Sequence, residues 1–192
     1  GQTDLLRLLI HLQPPVAVGN LWLERFSPYF TRPDTYGIKI TGPGKAYAHV
    51  YDGAKIDLMK IAYDFEFETA SQVSPHLPQS LRQLAEEWKQ RHQSDNIPYL
   101  FFTKSPEFVT IYDGRPADQP VKRRYEGAGA RIIPFCNESP KSLEQIQAHI
   151  IEKTGLDQSA TMAAICELKI NGILYEERDK FLTLALPHNS HL

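Results

Sequence analysis

Three consecutive basic residues, Lys122, Arg123 and Arg124, form a charged run in the segment VKRRYE. Ammonium and guanidinium groups in such a run attract the carboxylates of an acidic peptide or the phosphates of a nucleic acid. The same pattern is also typical of a solvent-facing strand whose charges have no specific partner. The residue types therefore leave three interpretations open: an acidic peptide, a nucleic acid or simple solvation.

Two carboxylates, Glu66 and Glu68, lie two residues apart in the acidic and aromatic segment YDFEFET. At that spacing they share one face of a strand, and paired carboxylates are groups that acid–base catalysis uses. Nothing nearby indicates a shifted pKa or a nucleophile. The sequence also has no Gly-x-Ser-x-Gly motif, no phosphate-binding loop and no complete dinucleotide fingerprint. We therefore assign no catalytic residue.

The two cysteines, Cys136 and Cys166, lie thirty residues apart in segments predicted to be helical. This spacing indicates neither a disulfide framework nor a metal site, and the scattered histidines have no ligand spacing either. We expect both thiols to be small buried hydrophobic groups and expect no metal in this chain.

Composition describes an ordinary globular protein of 192 residues, with 42% hydrophobic and 23% charged residues. The net charge of −2 gives no global attraction to nucleic acid or anionic lipid. No apolar run approaches the ~20 residues that span a bilayer, and the N-terminus has no signal-peptide pattern. We expect a cytoplasmic protein.

The N-terminal half has weaker patterns. A helix is predicted over 3–12 and a strand over 20–26, and 27–55 is predicted to be a long loop rich in Pro, Gly and Tyr. Two helices are predicted near 56–65 and 75–93, the second with an apolar stripe at helical spacing. The segment DNIP then breaks the pattern and is the best internal boundary.

The C-terminal half has clearer signals. A hairpin is formed by YLFFTK and EFVTIYD, VKRRYE follows as a third strand, and a helix is predicted over 127–137. Ser142 and Gln145 make a capping box for the next helix, whose predicted buried face is Leu143, Ile146, Ile150 and Ile151. Asp157 opens another helix, with Met162, Ile165, Cys166 and Leu168 predicted to face mostly inward. A closing hairpin turns near Arg178-Asp179. The order predicts an α+β fold that ends in a winged helix-turn-helix domain with a front β-hairpin.

An unusual aromatic cluster, RFSPYF at residues 25–30, interrupts the N-terminal half. The segment HLQPPVAVGNLWLERFSPYFTRPDTYGI resembles the region just beyond the catalytic barrel of radical SAM C-methyltransferases. These cobalamin-dependent enzymes modify ribosomally made peptides (RiPPs). The segments AYAHVY, LMKIAYDFEF and DKFLTLALP resemble the tail of the same family. RFSPYF packs as a structural plug, or its Arg25 and Tyr29 form a lip that touches substrate; both interpretations remain open.

Residues 98–187 separately resemble the RiPP recognition element, a small winged-helix domain like the peptide chaperone of pyrroloquinoline quinone synthesis. The matching features are the front hairpin, FCNES, SLEQI and ELKINGIL. The resemblance implies binding of a leader peptide as an added strand beside the sheet and the third helix. The alternative is a hairpin edge that is capped or covered by residues 30–75. The hypothesised peptide-binding residues are Phe102, Lys104, Phe108, Thr110, Tyr112, Lys122, Arg123, Arg124 and Lys169.

The resemblance also implies what this chain lacks. The Cys-x3-Cys-x2-Cys motif that holds a [4Fe–4S] cluster is absent, as is the cobalamin-binding domain. We therefore expect a non-catalytic C-terminal part of an enzyme that uses the cluster, S-adenosylmethionine and cobalamin. The expected domains are a barrel remnant at 1–30, an irregular α/β linker region at 31–95 and the winged-helix domain at 98–187. The expected partners are a leader peptide and the missing barrel, and an exposed helix at 4–12 suggests a dimer.

A DNA-binding winged-helix regulator is the main alternative, beside a purely scaffolding domain. The third predicted helix, 157–171, has one lysine and no arginine, whereas base recognition needs several donor side chains. Over 121–187 there are nine Lys and Arg residues against nine Asp and Glu residues, so the segment is neutral. This chemistry disfavours DNA and favours a peptide.

Overall fold

The computed structural model describes residues 2–70 and 77–188. The fold is of the mixed α+β class. The helices are α1 Gln2–Leu8, α2 Pro28–Thr31, α3 Tyr47–Val50, α4 Leu58–Ile61, α5 Leu77–Gln93, α6 Gly127–Glu138, α7 Leu143–Thr154 and α8 Gln158–Ile170, with a 3-10 turn at Pro33–Tyr36. The strands are β1 Leu23–Glu24, β2 Ile38–Pro43, β3 Asp64–Thr69, β4 Leu100–Lys104, β5 Phe108–Asp113, β6 Val121–Glu126, β7 Lys141–Ser142, β8 Leu174–Glu177, β9 Lys180–Thr183 and β10 Leu186–Pro187.

The chain divides into two compact units. The larger unit comprises residues 1–16 and 83–192, and the smaller unit comprises residues 17–82. The predicted division differs in two respects. The first 16 residues belong to the larger unit and not to a separate N-terminal domain. The smaller unit ends at residue 82, within α5, and not at the predicted boundary DNIP.

The main sheet of the larger unit has the strand order β10-β4-β5-β6. Strands β4, β5 and β6 are antiparallel, as the hairpin and third-strand predictions required, and β10 pairs with β4 in parallel. Phe102 and Ile111 face the helices, and side chains at alternating positions face away from them. Helix α6 covers the inner face.

Three helices and a second sheet follow the main sheet. The predicted capping box begins α7, where Ser142 and Gln145 bond reciprocally, and Gly155 ends it at φ +70°. Asp157 caps α8 by accepting from the backbone N–H of Ala160 at 2.8 Å. The closing hairpin β8–β9 turns through Arg178 and Asp179, both with positive φ, and the second sheet has the order β7-β9-β8.

The core of the larger unit lies between the main sheet and α6, α7 and α8. Its largest fully buried members include Ile111, Ile132, Ile146 and Leu168. The predicted buried face of α7 included Ile151, which is wrong because half of that side chain is exposed. The inward face of α8 also differs from the prediction: Ile165 and Leu168 are buried, but Met162 and Cys166 face solvent and Thr161 takes their place.

The N-terminal segment packs on this core. Helix α1 ends at Leu8, earlier than the predicted 12, and Leu8 and Leu9 pack against the core cluster. Farther along, His11 is buried, and its Nε2 lies 2.9 Å from the carbonyl oxygen of Leu184. The indole of Trp88 donates to the carbonyl of Leu12 at 2.9 Å. The expectation of an exposed helix at 4–12 is therefore wrong, and the dimer stays a prediction.

The smaller unit contains a sheet of order β1-β3-β2, with Leu23, Ile38, Ala62 and Phe65 as its core. The predicted strand at 20–26 is reduced to two residues. The predicted loop over 27–55 instead contains α2, β2 and α3, and the helix predicted near 56–65 is limited to α4. Propensity underestimated β2 because antiparallel pairing with β3, a distant segment, stabilises it. The start of the 75–93 helix, with Pro75, lies outside the described residues.

Among the described residues, no helix is long and apolar enough to cross a membrane.

Candidate functional site

The main sheet ends in the two-residue strand β10 on one side and in the six-residue strand β6 on the other, so its longer unpaired edge among the described residues belongs to β6. The prediction had placed the open edge on the hairpin of β4 and β5. That placement is wrong because β5 is an interior strand and the other side of β4 is occupied by β10. The pairing of β10 is extended by the N–H of His188, which donates to the carbonyl of Phe102 at 2.9 Å.

The backbone groups that face the open edge follow from the register of the sheet. The N–H of Ser105 donates to the carbonyl of Phe108, and the N–H of Gly114 donates to that of Tyr99, so even-numbered residues of β5 bond to β4. Odd-numbered residues of β5 therefore bond to β6, where Val121, Arg123 and Tyr125 lie opposite them. It follows that the N–H and C=O groups of Lys122 and Arg124 and the N–H of Glu126 point outward, whereas the C=O of Glu126, the N-cap of α6, accepts the first bond of that helix.

The outer face of this sheet carries aromatic rings covered by two of the predicted cations. The ammonium of Lys122 lies 5.2 Å from the ring centroid of Tyr112, and the guanidinium of Arg124 lies 3.7 Å from that of Phe108. Arg124 also pairs with Glu126 at 2.8 Å. These cation–π contacts hold the two basic side chains flat beside the open edge. Thr110 lies on the same face and is buried.

The inner face beside the open edge carries Arg123 and Tyr125. The Tyr125 ring is buried, and its hydroxyl accepts a hydrogen bond from Nδ2 of Asn171, just beyond α8, at 3.0 Å. Burial raises the pKa of Tyr125, and the charge of Glu167 on α8 acts in the same direction. The Nη1 atom of Arg123 is buried, and no hydrogen-bond partner lies near it among the described residues.

A buried ion pair lies next to this position. Asp113 receives two hydrogen bonds from the guanidinium of Arg115, at 2.9 and 2.7 Å, and a third from its backbone N–H at 3.0 Å. Burial alone would raise the pKa of Asp113, but the hydrogen bonds and charge of Arg115 outweigh it and hold the pKa below its ordinary value. Asp113 is therefore a carboxylate whose charge Arg115 already compensates.

Asn171, just beyond α8, ties the end of that helix to Tyr125 on β6. The surface of α8 exposes Met162, Cys166 and Ile170, and Ile170 is 86% exposed. These residues lie at spacings of four, on one side of the helix. The helix that Asn171 ties to Tyr125 thus carries an exposed apolar row.

The structure does not bring all of the predicted peptide-binding residues to this edge. Phe102 is in the core at 5% exposure and has no surface for a ligand. Lys104 lines a different cleft with Arg131, Phe135 and Lys153. Lys169 forms an ion pair with Glu176 on β8. Phe108, Thr110 and Tyr112 lie on the outer face, and Lys122, Arg123 and Arg124 lie on the edge strand itself.

Sequence reasoning missed the polar residues that surround Arg123. In the sequence, Asp113 ends the predicted strand EFVTIYD and Arg115 lies in the following turn Gly114-Arg115-Pro116, and neither was assigned a role. Their signal was an acid and a base two residues apart around Gly114, directly after an apolar strand. The position of Asn171 at the end of the third predicted helix, 157–171, gives no sign of its contact with Tyr125.

The lip hypothesis concerned Arg25 and Tyr29 of the smaller unit. The Nε of Arg25 donates to the carbonyl of Ala62 at 2.7 Å and its Nη2 donates to the carbonyl of Met59. Its guanidinium also lies over the rings of Phe30 and Phe65, at 5.4 and 5.0 Å. These contacts give Arg25 a local packing role within the smaller unit, and both the plug and the lip interpretations stay predictions.

The three aromatic residues of RFSPYF differ in exposure. Phe30 packs on Phe65 with ring centroids 4.6 Å apart, and Tyr29 packs on Tyr36 at the same distance. Phe26 has a φ of 71° and is 76% exposed. The side chains at 29 and 30 therefore pack within the smaller unit, whereas Phe26 faces solvent.

The thiols do not fit an iron–sulfur cluster, which takes at least three cysteine ligands in the family that the sequence resembles. Cys136 is buried and Cys166 is exposed, so the expectation that both are buried is wrong for the second. Burial raises the pKa of the Cys136 thiol to about 12, which keeps it protonated and unsuited to bind a metal. Within the described part of the chain, no three acidic, histidine or cysteine side chains group as metal ligands do.

Comparison of the chain with protein-family models, curated proteins and solved structures gave no significant match.

Proposed function

We propose that the larger unit binds an extended peptide, the leader of a ribosomally made precursor, as an added strand on β6. The observation that carries this proposal is the open edge of β6, where the N–H groups of residues 122, 124 and 126 and the C=O groups of residues 122 and 124 point outward. An extended peptide satisfies such groups with main-chain hydrogen bonds, and neighbouring side chains then supply specificity.

The surroundings of the edge favour a peptide over DNA. Helix α8 presents Met162, Cys166 and Ile170 to solvent, and its single lysine is paired with Glu176. Apolar side chains bind those of a peptide, whereas a DNA-recognition helix presents donors to base edges and cations to phosphates. The order of sheet, three helices and hairpin agrees with the winged-helix architecture that we propose for residues 98–187.

The wider context rests on the sequence resemblance alone. We propose that this chain is the non-catalytic C-terminal part of a cobalamin-dependent radical SAM peptide methyltransferase, and that it presents the core peptide for C-methylation. Binding one end of the substrate would raise the local concentration of the other end to roughly millimolar. The coding sequence upstream of this segment tests that part of the proposal: it must encode a three-cysteine barrel and a cobalamin-binding domain.

The binding proposal is tested by titrating the isotope-labelled full chain with a synthetic leader peptide from a short open reading frame beside the gene. We expect micromolar affinity and shifts of the amide resonances of Lys122, Arg124 and Glu126. Replacing Lys122 and Arg124 by Glu should weaken the binding of an acidic leader.

Two substitutions at one position separate the backbone from the side chain. Arg124→Pro removes an outward N–H without removing a bond to β5, and should abolish binding. Arg124→Ala keeps that N–H and loses only an exposed ion pair and a ring contact, so it should keep most of the affinity. Binding that survives Arg124→Pro unchanged would place the peptide elsewhere, and no binding at all would leave a scaffolding role.

A further inference from the structure

The inner face of the sheet beside the β6 edge contains an arginine, Arg123, with one guanidinium nitrogen that has no hydrogen-bond partner among the described residues. Nη1 of Arg123 is buried, and no acceptor in the described ranges lies within hydrogen-bonding distance. A buried guanidinium N–H without an acceptor is costly, and native structures usually supply an acceptor for it. The Nη1 group of Arg123 therefore still needs an acceptor, either an anion or a carbonyl oxygen.

The nearby carboxylates do not meet this requirement. Asp113 interacts electrostatically with Arg123, but its two oxygens accept three hydrogen bonds from Arg115. Glu167 on α8 is exposed and influences the neighbouring Tyr125, and no ion pair joins it to Arg123 among the described residues. Within the described ranges Arg123 therefore has no ion pair of its own, and its side chain is only partly buried, so a ligand can reach it.

The geometry of strand addition places one ligand side chain beside Arg123. The N–H and C=O groups of Arg123 point to β5, so a peptide residue opposite it forms a non-hydrogen-bonded pair. Such pairs bring the Cβ atoms of the two residues to about 4.5–5.5 Å on the same face of the sheet. An aspartate or glutamate at that peptide position can therefore reach the guanidinium of Arg123.

We infer that the larger unit selects extended peptides with a carboxylate side chain opposite Arg123, and that Arg123 is the residue that determines this preference. This inference rests on the proposed function, because it concerns a peptide added to β6. Lys122 and Arg124 do not share the role. Their side chains lie on the outer face over aromatic rings, where charges are hydrated and discriminate weakly.

The probe is a library of random dodecapeptides, selected by display on the full chain and counter-selected on its Arg124→Pro variant. Counter-selection discards peptides that still bind Arg124→Pro, so the peptides that remain are those that need the β6 edge. We expect enriched peptides to share Asp or Glu at one position. The best peptide is then synthesised with this acid and with its amide, and both are titrated into the wild type, Arg123→Gln and the matched control Arg124→Gln.

The wild type and Arg124→Gln should prefer the acid over the amide by roughly 10- to 100-fold, as charged hydrogen bonds do. Arg123→Gln should bind both equally. Should that variant fold poorly, Arg123→Glu with a lysine peptide provides a charge-reversed pair that should restore binding.

The possible failures are distinguishable. If no enriched peptide is sensitive to Arg124→Pro, the proposed function fails and the inference falls with it. If peptides bind the edge but carry no acid at a common position, the inference is overturned while the proposed function stands. The same holds if the acid preference survives Arg123→Gln.

Discussion

Arg115 holds together three stretches of the larger unit that are far apart in sequence. Its Nη1 donates to the carbonyls of Leu8 and Gly172 at 3.1 and 2.9 Å, and its Nη2 donates to that of Asn171 at 3.2 Å. It also binds both oxygens of the buried Asp113. Each of these acceptors would be left without its donor if Arg115 were removed, so one side chain fixes the N-terminal segment and the end of α8.

The first prediction concerns this residue. Arg115→Ala should lower the free energy of unfolding of the larger unit by about 3–5 kcal/mol, because it leaves the buried Asp113 without its counterion. The measurement is urea denaturation followed by the fluorescence of Trp88, in a Trp22→Phe background. Trp88 is buried in the larger unit and Trp22 is 70% exposed in the smaller one, so the signal reports one unit.

The control for Arg115 is Arg124→Ala, which removes an exposed ion pair and should cost less than about 1 kcal/mol. The double variant Asp113→Ala/Arg115→Ala should lose less free energy of unfolding than the two single variants lose together. The reason is that Asp113→Ala removes the carboxylate that Arg115→Ala would leave buried and unpaired. If Arg115→Ala lowers the free energy of unfolding no more than Arg124→Ala does, the structural role of Arg115 is contradicted.

At the scale of single residues, the sequence indicated the basic edge but not its environment. Lys122, Arg123 and Arg124 were identifiable from residue type. Because side chains alternate along a strand, the sequence also predicts that Arg123 faces one side of the sheet and that Lys122 and Arg124 face the other. Among the described residues, Nη1 of Arg123 has no hydrogen-bond partner while Asp113 is already paired with Arg115. Both facts depend on contacts between distant segments, and no local pattern reveals them.

The secondary-structure elements of the larger unit divide into those with local signals and those without. Helix α7 had such signals at both ends: Ser142 Oγ accepts from the N–H of Gln145 at 3.3 Å, and Gln145 Oε1 accepts from the N–H of Ser142 at 2.8 Å. Gly155 then supplies the left-handed residue that ends the helix. Because these contacts join near neighbours, the sequence was enough to predict them.

Strand β10 and the inner face of α8 had no such signals. Two residues, Leu186 and Pro187, pair with a strand more than eighty positions earlier, so neither periodicity nor propensity points to them. On α8, Thr161 occupies a core position because its hydroxyl donates to the carbonyl of Asp157 at 2.9 Å. A polar residue satisfied within its own helix can replace the apolar ones that spacing predicted.

The second prediction tests the cap of α7. Ser142→Ala should reduce the free energy of unfolding of the larger unit by about 1 kcal/mol, since the N–H of Gln145 loses its side-chain acceptor. Ser142→Asp provides an acceptor at the same place and should retain most of the stability. The same Trp88 denaturation curves measure both variants. Equal stability of the alanine and aspartate variants would show that the capping box contributes little.

For the larger unit as a whole, acid stability depends on a histidine buried in its neutral form. Burial lowers the pKa of His11 below 6.5, and the charge of Arg115 acts in the same direction against the hydrogen bond to Leu184. His149 is shifted the same way, first by burial and then by Lys153. In both cases the unfolded chain binds a proton more readily than the folded chain.

The third prediction follows from that linkage. Above pH 6.5 both states are neutral at His11 and its contribution to stability is complete; as the pH falls below 6.5, the unfolded state protonates first and stability declines. The loss continues until the folded pKa is reached, with a slope of up to about 1.4 kcal/mol per pH unit for each such histidine. The stability that Asp113 supplies through its lowered pKa is present throughout this range and is lost only at lower pH, because the unfolded pKa of an aspartate is near 4.

Denaturation of the Trp22→Phe chain between pH 8 and 5 measures this slope. His11→Gln keeps a donor for the carbonyl of Leu184 and cannot be protonated, so its stability should vary less with pH than that of the parent. The part of the slope due to His149 should persist in that variant and disappear in His149→Gln. If His11→Gln leaves the pH dependence unchanged, the N-terminal segment does not hold its histidine neutral within the core, and its packing there is weaker than these contacts indicate.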